Sequence, residues 1–123
     1  MRRRSNKTAA IYREWVPVRV AFVESGPCCL CGGTAHDCHE ILAGSHRTAA
    51  FKERCCWLRT CRLCHPDLQG TPIVCQLGLK LLSDPEGYDL GRTLEVWGRA
   101  PTAITPGEVL DEVRQLLIWR MAA

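Results

Sequence analysis

The sequence predicts an α+β protein in which a small zinc-stabilised ββα core lies between N-terminal and C-terminal helices. Three observations support this: two C-x2-C pairs in the middle of the 123-residue chain, strand-like segments between them, and apolar residues spaced three and four apart on either side. We place a basic tail and helix at residues 1–27, the core at 28–70 and a helical extension at 71–123.

The two C-x2-C pairs predict a structural metal site. Cys28 and Cys31 form the first pair, Cys61 and Cys64 form the second, and 29 residues lie between the pairs. Two such turns supply four thiolates, and a four-sulfur Zn²⁺ site leaves no coordination position open for chemistry. Buried thiols without a metal are the alternative interpretation, and Cys29 is a competing ligand beside Cys28.

Cysteine usage favours a zinc protein of the cytoplasm over a secreted disulfide protein. Nine cysteines cannot all pair within one chain, and no apolar signal segment follows the basic N-terminus. No stretch approaches the roughly 18 apolar residues that a membrane-spanning helix needs. We therefore expect a cytoplasmic protein without a membrane partner.

Positive charge is concentrated in the half of the chain that carries the metal motifs. Residues 1–65 contain 11 Lys and Arg against 5 Asp and Glu, a net +6, whereas residues 66–123 contain 5 against 8, a net −3. A basic surface is expected of a nucleic-acid-binding protein, and a solvated basic tail is the alternative. The candidate nucleic-acid contacts are Arg2, Arg3, Arg4, Lys7, Arg47, Arg59 and Arg62.

Apolar residues near the N-terminus share one helical face. Their spacing predicts a helix over residues 8–25 that is kinked or divided at Pro17, with an apolar face formed by Ile11, Trp15, Val18 and Phe22. Trp57 and Trp119 are expected to lie in the core rather than to stack on bases.

The rest of the chain predicts a hairpin and then more helices. Strands are expected over residues 34–42 and 56–60, followed by a helix that opens at the second cysteine turn. Apolar spacing predicts helices over 73–82 and 90–97. The tetrapeptide Thr-Pro-Gly-Glu at 105–108 is a capping box with proline at the first helical position, which predicts a last helix.

The middle segment resembles the HNH (His-Me finger) endonucleases. The resemblance rests on His39-Glu40-Ile41 in the first predicted strand and on Cys61-x2-Cys64-His65 at the start of the following helix. The order of turn, hairpin, turn and helix resembles a treble-clef zinc fold, and phage and prophage members of the family often carry such a pair of zinc knuckles. The specific likeness covers residues 28–68.

The resemblance implies roles for individual residues. His39 falls at the first metal-ligand position and His65 at the last, so this pair is expected to bind a catalytic Mg²⁺, Mn²⁺ or Ni²⁺ ion. Glu40 falls at the general-base position, where the family usually has His. Cys56 falls where the family usually has an Asn, whose amide orients the catalytic residue. A structural role for both histidines in the zinc knuckle is the alternative.

We therefore predict a metal-dependent endonuclease that cuts or nicks DNA by phosphodiester hydrolysis. The resemblance implies DNA as the main partner, a phage or prophage protein in a bacterial host, and packaging or recombination proteins as further partners. One alternative is a non-catalytic treble-clef module that binds DNA through its zinc-stabilised core. The other is a protein-interaction adaptor that uses the C-terminal helix at 105–121.

Overall fold

The computed structural model describes residues 6–122 and confirms an α+β protein with a small antiparallel sheet. Within this range, no helix combines the length and the apolar character that crossing a bilayer requires. Short 3₁₀-helices lie at Gly44–His46 and Arg54–Cys56. In chain order the other elements are α1 (Asn6–Glu24), β1 (Asp37–Glu40), α2 (Arg47–Phe51), β2 (Trp57–Thr60), α3 (His65–Gln69), α4 (Ile73–Ser83), α5 (Leu90–Val96) and α6 (Pro106–Ala122).

β1 and β2 form the hairpin that the sequence predicts, although each strand has only four residues. The antiparallel register pairs Asp37 with Thr60. One further backbone bond, from Ile41 N to the Cys56 carbonyl (2.8 Å), extends the pairing beyond the end of the strands. A two-stranded hairpin is marginal in water by itself, so this one depends on the helices and cysteine turns around it.

α1 is one continuous helix that includes Pro17 rather than two helices divided there. Phe22 is buried as predicted, but Val18 is 47% exposed. Arg19 is buried instead, because its guanidinium donates to the Phe51 carbonyl (3.2 Å) and lies 3.9 Å from the centre of the Phe51 ring. The predicted face is therefore kept at Trp15 and Phe22, but Arg19 is buried where Val18 was expected.

α4 is the central helix of the fold, and residues 75–80 are all buried. α6 packs along α4, and Gly78 is the point of close approach. A Cβ atom at position 78 would lie only 2.2 Å from the Cβ atom of Val113. The two helices can approach this closely because position 78 has no side chain.

α6 begins where the sequence predicts and ends in exposed apolar residues. Thr105 N donates to Glu108 Oε1 (3.2 Å), and Glu108 N donates to Thr105 Oγ1 (3.1 Å), which confirms the capping box. Ile118, Trp119 and Met121 are exposed near its C-terminal end. The expectation that Trp119 lies in the core is therefore wrong, because the face of α6 that buries Val109 and Val113 does not include it.

One hydrophobic core contains residues from all three segments of the chain. Phe22 comes from α1, Trp57 and Leu58 come from β2, Leu77 comes from α4 and Val113 comes from α6. Trp57 is fully buried, as predicted. The hairpin that carries the candidate site is thus enclosed by the flanking helices.

Replacing Gly78 by Ala is expected to destabilise the protein by about 1–3 kcal/mol, the usual cost of overpacking a filled core. The added Cβ would meet three side-chain atoms of Val113 within 2.9 Å. Urea denaturation followed by circular dichroism measures the change in unfolding free energy.

Gly91→Ala in α5 is the control for this prediction, because a Cβ there meets only Asp89 Oδ1 at 3.8 Å. This change should be neutral or should stabilise the protein by up to about 1 kcal/mol, since alanine favours helix. A Gly78→Ala protein as stable as the parent would contradict the close packing of α4 on α6.

Candidate metal centre and histidine pair

The first cysteine turn is shaped by the two glycines that follow it. Gly32 has a φ of +73°, which glycine adopts without strain. Cys28 N donates to the Gly33 carbonyl (2.8 Å), and Gly32 N donates to the Cys28 carbonyl (3.0 Å). Gly33 N also donates to Cys31 Sγ (3.4 Å). This tight turn holds the two sulfur atoms of the pair close together.

The second cysteine turn opens α3 and brings two more sulfurs to the first turn. His65 N donates to the Cys61 carbonyl (3.1 Å), and Leu68 N donates to the Cys64 carbonyl (3.0 Å). Four Sγ atoms then lie within 4.8 Å of one another and form the four-cysteine cluster, which consists of Cys28, Cys31, Cys61 and Cys64.

The four-cysteine cluster has the dimensions of a tetrahedral metal site. The sulfurs of Cys31 and Cys61 lie 3.7 Å apart. Two sulfurs at about 2.3 Å from one Zn²⁺ ion in tetrahedral geometry are separated by about 3.8 Å. The cluster could therefore hold a structural metal ion such as zinc, at the residues that the sequence predicts.

The thiols of the cluster differ in acidity. Burial acts to raise the pKa of Cys28, but hydrogen bonds from the backbone at Cys31, Cys61 and Leu30 lower it to about 6. Burial, together with hydrogen bonds among the sulfurs, raises the pKa of Cys64. Without a metal, the protein thus favours the thiolate form of Cys28 and the protonated form of Cys64. A bound cation would supply the positive charge needed to keep all four cysteines deprotonated.

Cys29 and Cys38 remain outside the cluster as protonated thiols. Burial raises the pKa of each to about 12, and both side chains pack against the hydrophobic core. Among residues 6–122, the cluster is the one group of three or more His, Cys, Asp or Glu side chains close enough to share an ion. Neither Cys29 nor a histidine therefore takes the place of one of the four sulfurs.

His39 and His65 form a pair of side chains next to the cluster. β1 supplies His39, and the first residue of α3 supplies His65. His39 Nδ1 and His65 Nε2 lie 3.2 Å apart, and the rings are nearly perpendicular at 84°. Two imidazole nitrogens at about 2.1 Å from one ion, at angles between about 90° and 110°, are separated by about 3.0–3.4 Å. The spacing of the pair therefore fits one shared ion.

The other nitrogen of each ring has an oxygen neighbour. His39 Nε2 lies 2.7 Å from Gln76 Oε1 of α4, and His65 Nδ1 lies 3.5 Å from Asp37 Oδ2. Metal-binding histidines usually have such a partner, which fixes the orientation of the ring. Burial lowers the pKa of His39 in spite of the hydrogen bond to Gln76, which favours the neutral imidazole.

The carboxylate of Glu40 is held between two arginines. Arg19 Nη2 donates to Glu40 Oε1 at 3.0 Å, and Arg47 Nε lies 3.8 Å from the same oxygen. Glu40 and both histidines line one open cleft, which has a volume of about 530 Å³. The residue at the general-base position is thus beside the histidine pair, but it takes part in an ion pair.

Cys56 does not contribute a polar group to this cleft. Its side chain is fully buried in the core, and its sulfur lies 3.9 Å from the sulfur of Cys55. The position that holds an Asn in the HNH family therefore offers no amide to the histidine pair.

The predicted nucleic-acid contacts differ in their exposure. Lys7, Arg47 and Arg62 are exposed, and Arg47 lies at the edge of the histidine cleft. Arg59 is only 6% exposed, because its guanidinium donates to oxygen atoms near the end of α1 at 2.6 and 2.7 Å. A guanidinium that is buried and hydrogen-bonded within the protein is not available to DNA, so the predicted contact of Arg59 does not fit the structure. Three further predicted contacts lie outside the described residues: Arg2, Arg3 and Arg4.

Gln76, like Arg19, lines this cleft and was identified by no sequence motif. It lies 37 residues after His39, in a helix whose other central residues are mostly apolar. A polar residue within such a segment is the one signal that could have pointed to it. Asp37 is two residues before His39 on the same strand, and the alternation of side chains predicts that the two share a face.

No family model matches the sequence, and comparisons with the curated proteins and with the solved structures find no similar protein. The resemblance to HNH endonucleases therefore rests on the motifs alone. Function is inferred below from the geometry of the cluster and of the histidine pair.

Replacing Cys31 by Ala tests whether the four-cysteine cluster binds zinc. Cys31 is exposed, so its sulfur contributes little to packing and its loss matters mainly if it is a ligand. We expect less than one zinc ion per chain and an affinity weakened by more than about 100-fold, since even the partners of ligands contribute 10–100-fold. Elemental analysis and zinc titration against a competing chelator measure both quantities.

Cys29→Ala is the control for the zinc prediction and should retain one zinc ion per chain, because Cys29 lies outside the cluster. A parent protein that folds with zinc present and yet retains none would contradict the site.

Proposed function

We propose that the protein is a metal-dependent endonuclease that hydrolyses phosphodiester bonds in DNA. The observation that carries this proposal is the histidine pair, in which His39 Nδ1 and His65 Nε2 lie 3.2 Å apart at an open cleft. The other ring nitrogens have oxygen partners, so the facing nitrogens are available to an ion. Two protein ligands leave coordination positions for water and a phosphate, which a four-sulfur site does not.

Each polar side chain of the cleft has a role in this proposal. His39 and His65 hold a divalent ion, and imidazole ligands favour Mn²⁺, Ni²⁺ or Zn²⁺ over Mg²⁺. When bound, the ion supplies positive charge that stabilises the leaving oxygen of the phosphodiester. Glu40 accepts the proton of the attacking water, and Arg19 orients its carboxylate through the 3.0 Å ion pair. Arg47, whose side chain is 66% exposed, binds a neighbouring phosphate.

The order of the elements supports the same proposal. A cysteine turn, the β1–β2 hairpin, a second cysteine turn and α3 follow one another in the order that the resemblance to a treble-clef HNH core implies. Exposed cations of the N-terminal half, such as Lys7 and Arg62, provide positive charge for a polyanionic substrate.

A zinc-stabilised module that binds DNA without cleaving it is the second candidate. Two observations favour it: Cys56 is buried at the position of the family's Asn, and Glu40, at the position of the family's base, is paired with Arg19. In this candidate the four-cysteine cluster and the exposed cations keep their roles, and His39 and His65 only share a hydrogen bond.

Replacing His65 by Ala should abolish DNA cleavage while leaving the fold and the zinc content unchanged. His65 lies outside the four-cysteine cluster, and its side chain is 29% exposed, so its removal leaves no large cavity. The measurement is nicking of supercoiled plasmid with added Mg²⁺, Mn²⁺ or Ni²⁺. His36→Ala is the control, because His36 is exposed and does not line the histidine cleft.

Two results would decide against cleavage at the histidine pair. Nicking by His65→Ala at the parent rate would place the activity elsewhere. A parent protein that nicks with none of the three ions, but binds DNA with a log–log salt slope of about 0.9 per phosphate contact, would favour the binding module.

Glu40→Gln is expected to lower the nicking rate by about 10²–10⁴, the range typical of a lost general base. The amide keeps the size of the side chain and can still accept from Arg19, so the fold should not change. Glu40→His is the matched variant: it introduces the residue that the HNH family usually has and should keep or raise the rate. If Glu40→Gln nicks as fast as the parent, another group takes the proton.

A further inference from the structure

The side-chain amide of Gln76 has only one orientation that its neighbours allow. One end of it lies 3.0 Å from the Leu68 carbonyl and 2.8 Å from the Thr71 carbonyl, and a carbonyl oxygen can only accept. The amide nitrogen must therefore be at this end. The amide oxygen is then the atom that lies 2.7 Å from His39 Nε2.

This orientation determines which nitrogen of His39 carries the proton. Because Gln76 Oε1 can only accept, His39 Nε2 must donate the 2.7 Å hydrogen bond. In a neutral imidazole the other nitrogen then has a free lone pair. That nitrogen is Nδ1, which faces His65 Nε2 at 3.2 Å.

We propose that Gln76 is the positioning residue of the histidine pair. Its amide holds His39 in the tautomer with the proton on Nε2, so that Nδ1 is available to the ion shared with His65. The consequence for ion binding rests on the proposed function, whereas the tautomer can be measured without an ion or a substrate. Gln76 touches neither ion nor substrate and acts through His39.

The burial of Gln76 supports a positioning role over a packing role. The side chain is only 4% exposed, and burying an amide is unfavourable unless its polar atoms are hydrogen-bonded. Two of its hydrogen bonds hold it to the end of α3 and to the loop that follows, and the third goes to His39. An apolar side chain would fill this position at a lower desolvation cost, but it would leave the buried His39 Nε2 without a hydrogen-bond acceptor.

The test is the tautomer of His39 in the full, zinc-loaded chain, measured from the ¹⁵N chemical shifts of both ring nitrogens. The parent should show a protonated Nε2 and a bare Nδ1. Gln76→Met keeps the length of the side chain but removes the acceptor, so the Nδ1–H tautomer should become populated. Gln76→Glu keeps the acceptor and loses the two donor hydrogens, so it should retain the proton on Nε2. Gln115→Met, at an exposed position of α6, is the matched control.

Calorimetric titration of the same zinc-loaded proteins with Ni²⁺ gives a second readout. Gln76→Met should bind Ni²⁺ about 10–100-fold more weakly than the parent, the usual effect of losing the partner of a ligand. Gln76→Glu should bind Ni²⁺ more tightly than Gln76→Met does, because it keeps the acceptor for His39. If Gln76 acted only through its two donated hydrogen bonds, both variants would be weakened alike.

The possible outcomes separate this inference from the proposed function. A proton on His39 Nδ1 in the parent would overturn the inference, as would a parent-like tautomer and Ni²⁺ affinity in Gln76→Met. If Gln76→Met does not fold, the tautomers of the parent and of Gln76→Glu still decide it. If the parent has the expected tautomer but binds none of Ni²⁺, Mn²⁺ and Mg²⁺, the proposed function fails and the assignment of the tautomer stands.

Discussion

The hairpin and the histidine pair both depend on the meeting of two cysteine turns. The hairpin has two strands of four residues, too few to be stable alone. The four-cysteine cluster joins the segment before β1 to the segment after β2, and Cys29 N donates to the Arg59 carbonyl (2.8 Å) across the same junction. A metal ion in the cluster would convert binding free energy into folding free energy, because the four thiolates come together only in the folded chain. His65 directly follows the second turn, so the cluster also fixes the start of α3.

Buried cations around the aromatic core connect α1 to the sheet and to the cleft. The Lys80 ammonium group is fully buried, donates to a neighbouring carboxylate and lies 4.7 Å from the Phe22 ring. The Arg59 guanidinium lies 4.0 Å from the same ring. Buried charges are tolerated only when they are paired or hydrogen-bonded, and an aromatic face adds to this. Arg19 is a third buried cation, which lies against the Phe51 ring and pairs with Glu40. The packing of the core thus positions a carboxylate at the cleft.

Features set by neighbours in sequence could be predicted, whereas features set by distant contacts could not. The capping box of α6, the cysteine turns and the extent of α4 follow from local spacing, and the structure confirms them. The spacing predicted Val18, not Arg19, on the inward face of α1. Arg19 is buried instead because acceptors on other elements bind its guanidinium, and local spacing does not reveal such acceptors. Arg59 is buried for the same reason. The motif brought His39 into the candidate site, but Gln76 reaches it only because α4 folds back over the hairpin.

In our proposal the amide that orients His39 comes from Gln76 of α4, whereas Cys56 in the hairpin region offers no amide. The cluster sets the position of His65 through the first turn of α3, and α4 sets the orientation of His39. Residues 28–70 contain every residue of the motif and both cysteine turns, but without α4 the buried Nε2 of His39 would have no acceptor for its hydrogen bond. The candidate site therefore extends beyond the segment that carries the resemblance and includes Gln76 of α4, which lies in the C-terminal extension.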